Sequence, residues 1–235
     1  MILSYTEENY LKALLKIAQV HPEGAVGTNE LALHLQVRPA SVNDMLKKLR
    51  EKNLVDYRRY GKIQLTELGR QYAVDMVRKH RLWETFLYEK LEFTWDEVHD
   101  LAEQLEHIQS DVLIDKLDRF LGYPKHDPHG DPIPVANDTE LPYFKRSLAG
   151  IRVGETCWVA SVDDTDNAML NRAQQLGLQI NTAIQMVDKP NWDDVVVIAI
   201  DHQQHTVGHR FADRIFVLCS ACQSGAACSY ENPCR

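Results

Sequence analysis

The chain has 235 residues, enough for two or three compact units with a substantial hydrophobic core. Its composition, 44% hydrophobic and 26% charged, is that of an ordinary soluble globular protein. The longest apolar run of note, Val195 to Ile200, is too short to span a bilayer, and the opening MILSYTEENYLKALL has no basic-then-apolar leader. The expectation is therefore a cytoplasmic protein without a membrane partner.

The net charge of −8 is unevenly placed. Residues 1–80 carry 13 Lys/Arg against 9 Asp/Glu, a balance of +4, and the remaining residues carry 13 against 25, a balance of −12. A basic front joined to an acidic remainder suits a chain whose N-terminal part meets phosphate.

In chain order, residues 5–20 place Tyr10, Leu11, Leu14, Leu15, Ile17 and Ala18 at helical spacing, with Thr6 as the expected N-cap. Thr28 opens a second short helix, NELALHLQV. Pro39 restarts the chain, and SVNDMLKKLREKNLV follows with Val42, Met45, Leu46 and Leu49 on one side. Two short helices around a tight turn make a helix-turn-helix. VDYRRYGKIQLT then reads as strand, Gly61 turn, strand: a β-wing with basic residues at its tip.

A long helix is expected over 67–91 and another over 95–109. Ser110 with Asp111 caps a further helix that stops at Leu121-Gly122. The four prolines of PKHDPHGDPIP, residues 124–134, force an extended connection. Residues 150–218 alternate short apolar runs with turns and read as a small β-barrel. No internal repeat is present.

A recognition helix needs short polar side chains at its front for base edges and positive charge nearby for phosphates. Ser41, Asn43 and Asp44 stand at the front of the third helix, just after Pro39, with Lys47, Lys48 and Arg50 behind them. Thr28 joins them from the second helix, and Arg58, Arg59 and Lys62 in the wing suit the flanking backbone.

Two later helices carry a second kind of chemistry. His80 and Glu84 are four apart and stack on one face. In WDEVHDLAEQLEHIQSDV, the residues His99, Glu103, Glu106 and His107 fall on one face, and Leu101, Leu105, Ile108 and Val112 on the opposite side. Nitrogen and oxygen donors without a thiolate suit divalent ions such as Mn(II), Fe(II) or Zn(II).

Four of the five cysteines, Cys219, Cys222, Cys228 and Cys234, crowd the last 17 residues with spacing C-x2-C-x5-C-x5-C. Four thiolates suit Zn(II) or an iron–sulfur cluster. The alternative is an unligated extension with reactive thiols.

With TEENYL, the helix-turn-helix, LTELGR, RKHRLWE, VHDLAEQLEH and DPHGDPIP in view, the chain resembles the diphtheria-toxin-repressor and manganese-transport-regulator family over residues 4 to about 135. Residues 150–218 resemble the SH3-like, FeoA-type domain of its longer members. The resemblance implies a fold that is mainly α with a β-wing, followed by a small all-β SH3-like barrel. It also implies a division into a winged helix-turn-helix domain (1–72), a helical metal-binding and dimerisation domain (73–135), a linker (136–149), the FeoA-type domain (150–218) and a Cys-rich tail (219–235).

The implied function is a metal-dependent repressor of metal-homeostasis genes, activated by Mn(II) or Fe(II), acting as a homodimer on pseudo-palindromic double-stranded operator DNA. By position, Glu103, Glu106 and His107 correspond to ligands of one regulatory site, with Asn9 the donor of the N-terminal helix. His80, Glu84 and His99 correspond to the second site, to which the barrel lends a carboxylate and an amide; Asp164 and Asn167 are the candidates. Iron-preferring members carry Met at position 9 and Cys at 103. The manganese branch carries Glu at 103 but an Asp where Asn9 stands and an acid where Lys12 stands.

Two other readings compete. One is a winged-helix regulator answering redox or iron–sulfur state through the cysteine tail. The other is a metalloenzyme, against which stand the lack of an HExxH-type element and the complete DNA-reading unit upstream.

Overall fold

A computed structural model describes residues 1–19, 21, 24–57, 61–139, 141, 146–190 and 192–219. The chain divides into two compact units. One comprises residues 1–86, 101–125 and 132–143, the other 87–100, 126–131 and 144 onward.

The first unit begins with helix α1, Tyr5–Ala18. Its cap is Ser4 rather than Thr6. The Ser4 hydroxyl accepts from the Glu7 amide at 3.4 Å while the Glu7 carboxylate takes the Ser4 amide at 2.8 Å, a reciprocal capping box. Helices α2 (Thr28–His34) and α3 (Pro39–Glu51) follow. The turn between them passes through Gln36 at φ 53°. Proline suits the first position of α3, where its missing N–H would have no helical partner.

Strands β1 (Val55–Tyr57) and β2 (Ile63–Leu65) pair antiparallel as the wing, Val55 facing Leu65. Behind the recognition helix lies a core in which Leu11, Leu14, Leu15, Leu31, Leu46, Leu49, Leu54 and Ile63 are fully buried. Burial of side chains this size stabilises by about 1.5–3 kcal/mol each.

Helix α4 runs over Glu67–Leu91. Its first turn passes so close to the wing that a β-carbon at Gly69 would lie 1.8 Å from the Leu54 carbonyl oxygen, which explains the glycine in LTELGR. Helix α5 is regular only over Val98–Leu105, shorter than the 95–109 expected. At its front the Thr94 amide and hydroxyl bond the Glu97 carboxylate. The Trp95 ring is drawn away to stack on His129 and donates its N–H to the Pro128 carbonyl. Helix α6, Asp111–Phe120, has Ser110 as its cap and ends before Gly122 at φ +78°.

The second unit holds a five-stranded antiparallel sheet consistent with an SH3-like domain. Its strands are β3 (Thr156–Val162), β4 (Ala183–Asp188), β5 (Val195–Ile200), β6 (Gln203–Gly208) and β7 (Ile215–Cys219), in the order β6-β5-β4-β3-β7. Alternate residues of β5 are buried, as the period of two requires.

The sheet register slips between Val159 and Ser161. A β-carbon at Gly130 would come within 2.1 Å of the Ala160 carbonyl oxygen there, and Gly130 has φ +89°, so glycine alone fits. The strand-like reading of this region missed a helix, α7 (Asn167–Gln175). Asp166 caps it by accepting from the Ala168 and Met169 amides, and Met169, Leu170 and Ala173 are its buried face. Another short helix, α8 (His209–Ala212), precedes β7. Among the described residues no helix is long and apolar enough to cross a membrane.

Candidate metal centre and nucleic-acid interface

Helix α3 turns Val42, Leu46 and Leu49 inward and leaves Ser41, Asp44, Lys47 and Lys48 exposed. Pro39 is exposed at its start, Thr28 is half-buried as the first residue of α2, and Lys62 is exposed beside β2. Lys47 and Asp44 form an exposed ion pair at 2.9 Å.

Asn43 is placed differently from its neighbours. Its amide nitrogen donates to the Pro39 carbonyl at 2.9 Å, and its oxygen accepts from the Tyr57 hydroxyl on the wing strand. Both ends of Asn43 are thus engaged within the protein, tying α3 to β1. Arg58 and Arg59 lie outside the described residues.

The donor residues of the first unit gather where α1, α4 and α5 meet. His80, Glu103 and Glu106 present ligand-type atoms that all lie within 4.8 Å of one another. Among them sits the Lys12 ammonium, 2.7 Å from Glu103 Oε1, 2.6 Å from Glu106 Oε2 and 3.2 Å from His80 Nδ1. His80 Nδ1 lies 2.6 Å from Glu106 Oε2, and its other nitrogen lies 3.0 Å from Glu84 Oε1 one turn along α4. Glu106 and Glu84 are fully buried.

Burial would lower the Lys12 pKa, but the charges of Glu106 and Glu103 outweigh it and hold the ammonium above its ordinary value. Burial likewise opposes a charged His80, and Lys12 adds to that opposition. The Glu84 charge, with the hydrogen bonds that the ring donates to Glu106 and Glu84, wins and raises the imidazole.

His107 stands apart from this cluster. Its Nδ1 lies 2.6 Å from Glu8 Oε2, and its ring stacks on Tyr5 with centroids 4.4 Å apart. Gln109 donates to Glu8 Oε1 at 3.2 Å and to the Leu3 carbonyl at 2.9 Å. Asn9 is exposed on α1.

Besides Tyr5, the α1 side chains Glu8 and Lys12 reach the donor residues, and the sequence reading assigns neither of them a ligand role. A signal was present: the two are four apart and share a helix face. Nothing local, however, points that face at residues about ninety positions away.

In the second unit His99 Nδ1 lies 3.3 Å from Asp164 Oδ2, both side chains largely buried. Asn167 is exposed as the first residue of α7. Cys219 ends β7, while Cys222, Cys228 and Cys234 lie outside the described residues, and with them the proposed tail site.

Three family models match the chain in succession. They are the iron-dependent repressor N-terminal DNA-binding domain over residues 2–63, the iron-dependent repressor metal-binding and dimerisation domain over 66–135, and the FeoA domain over 146–218. The chain is similar to a solved manganese-dependent transcriptional repressor in complex with manganese, at 37% identity and TM-score 0.82 over 91% of this chain and 99% of the other. It is 26% identical to the iron-dependent repressor IdeR of Mycobacterium leprae, over 90% of this chain and 96% of that one. A 70-residue stretch is 44% identical to part of a probable metal transport system membrane protein of Chlamydia trachomatis, of whose length the match spans only 16%.

Proposed function

The chain belongs to the family of iron- and manganese-dependent transcriptional repressors, and from that premise we propose that it represses metal-homeostasis genes as a homodimer switched by Mn(II) or Fe(II). It is a metal-dependent repressor with a DNA-binding and a dimerisation domain, followed by a FeoA domain. The observation that carries the reading is an exposed, polar recognition helix over a tight core, in the same unit as a buried set of imidazoles and carboxylates.

In this reading Ser41 and Asp44 face base edges and Lys47, Lys48 and Lys62 face phosphates. Asn43 supports them by fixing α3 against the wing. The exposed apolar residues Val112, Leu113 and Phe120 on α6 form the two-fold contact, so that two recognition helices meet the two halves of a pseudo-palindrome.

The Glu103–Glu106–His80 cluster does not fit a divalent ion as it stands, because Lys12 already contacts all three donors. The remaining donor atoms do fit by chemistry. In the first unit, Glu84 and the Nε2 atom of His80 are the donors that would hold the metal. By the family resemblance His80, Glu84 and His99 correspond to the second site; His80 meets Glu84 in the first unit, and His99 meets Asp164 in the second. All four offer nitrogen or oxygen, which suits Mn(II) and Fe(II). Bound there, the ion supplies a fixed positive charge that shifts the population toward the DNA-competent state, so DNA tightens metal binding in return.

The test is selection from a random duplex pool by the full-length protein in Mn(II), in anaerobic Fe(II) and in EDTA, followed by anisotropy on the selected site. Metal raises affinity at least tenfold if the reading holds. Equal affinity in EDTA and in both metals overturns it.

A further inference from the structure

We propose that Lys12 is a tethered cation that permanently fills the first donor cluster, closing Glu103, Glu106 and the Nδ1 atom of His80 to divalent metal and clamping α1 to α4 and α5 without any ion. This builds on the metal-activated reading and says which of its donor sets responds.

The geometry is that of a filled cation site. One ammonium lies 2.6 and 2.7 Å from oxygens of two carboxylates and 3.2 Å from an imidazole nitrogen. These donors come from α4, from α5 and from the turn that directly follows α5, and the cation comes from α1. The three donor residues are mutually close enough to hold one ion. A divalent ion would need the same oxygens at about 2.0–2.6 Å, which places it against the ammonium. Two cations cannot share that space without strong repulsion.

The site is built around the lysine. Its neighbours on α1, Leu11, Leu14 and Leu15, are fully buried and fix the helix, and only 19% of the Lys12 side chain remains exposed. Glu106, which takes both Lys12 and His80 on one oxygen, is fully buried. A surface lysine on a solvated face would have neither a buried counter-ion nor three converging partners.

The consequence concerns regulation. Docking of α1 against the donor helix is set by the chain itself, through Lys12 and also through Glu8 with His107. Metal acts only through donor atoms that Lys12 does not occupy. An acid at position 12 would reverse this and make the cluster a divalent site.

The experiment counts Mn(II) bound per protomer of the full-length protein, by isothermal titration and by elemental analysis after desalting. Wild type, Lys12→Glu, Lys12→Gln, Glu103→Ala and Lys12→Glu with Glu103→Ala are compared. Lys12→Glu takes up one more ion than wild type, and the added Glu103→Ala removes that ion again, whereas Glu103→Ala alone leaves the wild-type count unchanged. Lys12→Gln, neutral and of similar reach, answers the same question if Lys12→Glu fails to fold.

The proposal is overturned if Glu103→Ala alone lowers the count, or if neither Lys12 variant gains an ion. His99→Ala separates the two readings. If it leaves the wild-type count intact, the His99 donor set is wrong, while the Lys12 result is decided by its own variants.

Discussion

Helices α3 and α5–α6 are both amphipathic, and they face opposite ways. Helix α3 buries Val42, Leu46 and Leu49 and shows its polar residues to solvent. Around α5 and α6 the polar residues Glu106 and His107 are buried, while Val112 and Phe120 stand 67% and 65% exposed. The first arrangement is self-sufficient, because water satisfies the polar face. The second has two debts: buried charge must find partners and exposed apolar surface must find cover. In this chain Lys12 and Glu8 answer the first, and in the proposed dimer a second subunit answers the second.

The largest test of that contrast removes a partner on the buried polar face. Glu106→Ala leaves Lys12 and His80 without the oxygen they share, and loss of one partner of a buried ion pair costs roughly 3–5 kcal/mol. Denaturant unfolding in EDTA measures it, with Lys47→Ala on the exposed face of α3 as the reference, expected within about 0.5 kcal/mol of wild type. Similar small losses from both would erase the distinction between the two helices.

Next in size is the apolar face. Phe120→Asp places a charge where the subunits are proposed to meet, and a central contact residue is worth about 2 kcal/mol or more, roughly thirtyfold in dimer Kd. Sedimentation analysis would show monomers at concentrations where wild type is dimeric. A dimer unmoved by Phe120→Asp and by Val112→Asp would place the interface elsewhere.

The exposed face of α3 gives the next effect. Lys47→Ala and Lys48→Ala each lower the slope of log affinity against log salt by about 1 if each neutralises a phosphate. Slopes equal to wild type would remove both lysines from the backbone contacts.

Much of this was legible in the sequence because it is local. The helical spacing of Val42, Leu46 and Leu49 marks α3, Ser110 and Gly122 mark the two ends of α6, and Glu67–Leu91 is one helix as expected. What was illegible depends on distant residues. Trp95 reads as helical but is held by Pro128 and His129, which shortens α5. Lys12 reads as one more surface cation until Glu103 and Glu106 are brought to it. Asp166 was readable as a cap, but the alternating pattern on either side of it hid α7.

The smallest effect bears on how a residue of the recognition helix does its work. By sequence position Asn43 is a base reader, yet its oxygen accepts from Tyr57 and its nitrogen donates to Pro39. Tyr57→Phe removes only the hydroxyl, leaving the ring buried in the core. Loss of that hydrogen bond should lower stability by about 0.5–1.5 kcal/mol. If Asn43 serves as the tie between α3 and the wing, Asn43→Ala and Tyr57→Phe weaken DNA binding alike and the double variant is no worse than Asn43→Ala alone, because the two share one interaction. A base reader gives another pattern: Asn43→Ala relaxes sequence preference at one position of the selected site, Tyr57→Phe does not, and the two effects add. Denaturation midpoints combined with anisotropy on single-base variants of the site distinguish these outcomes.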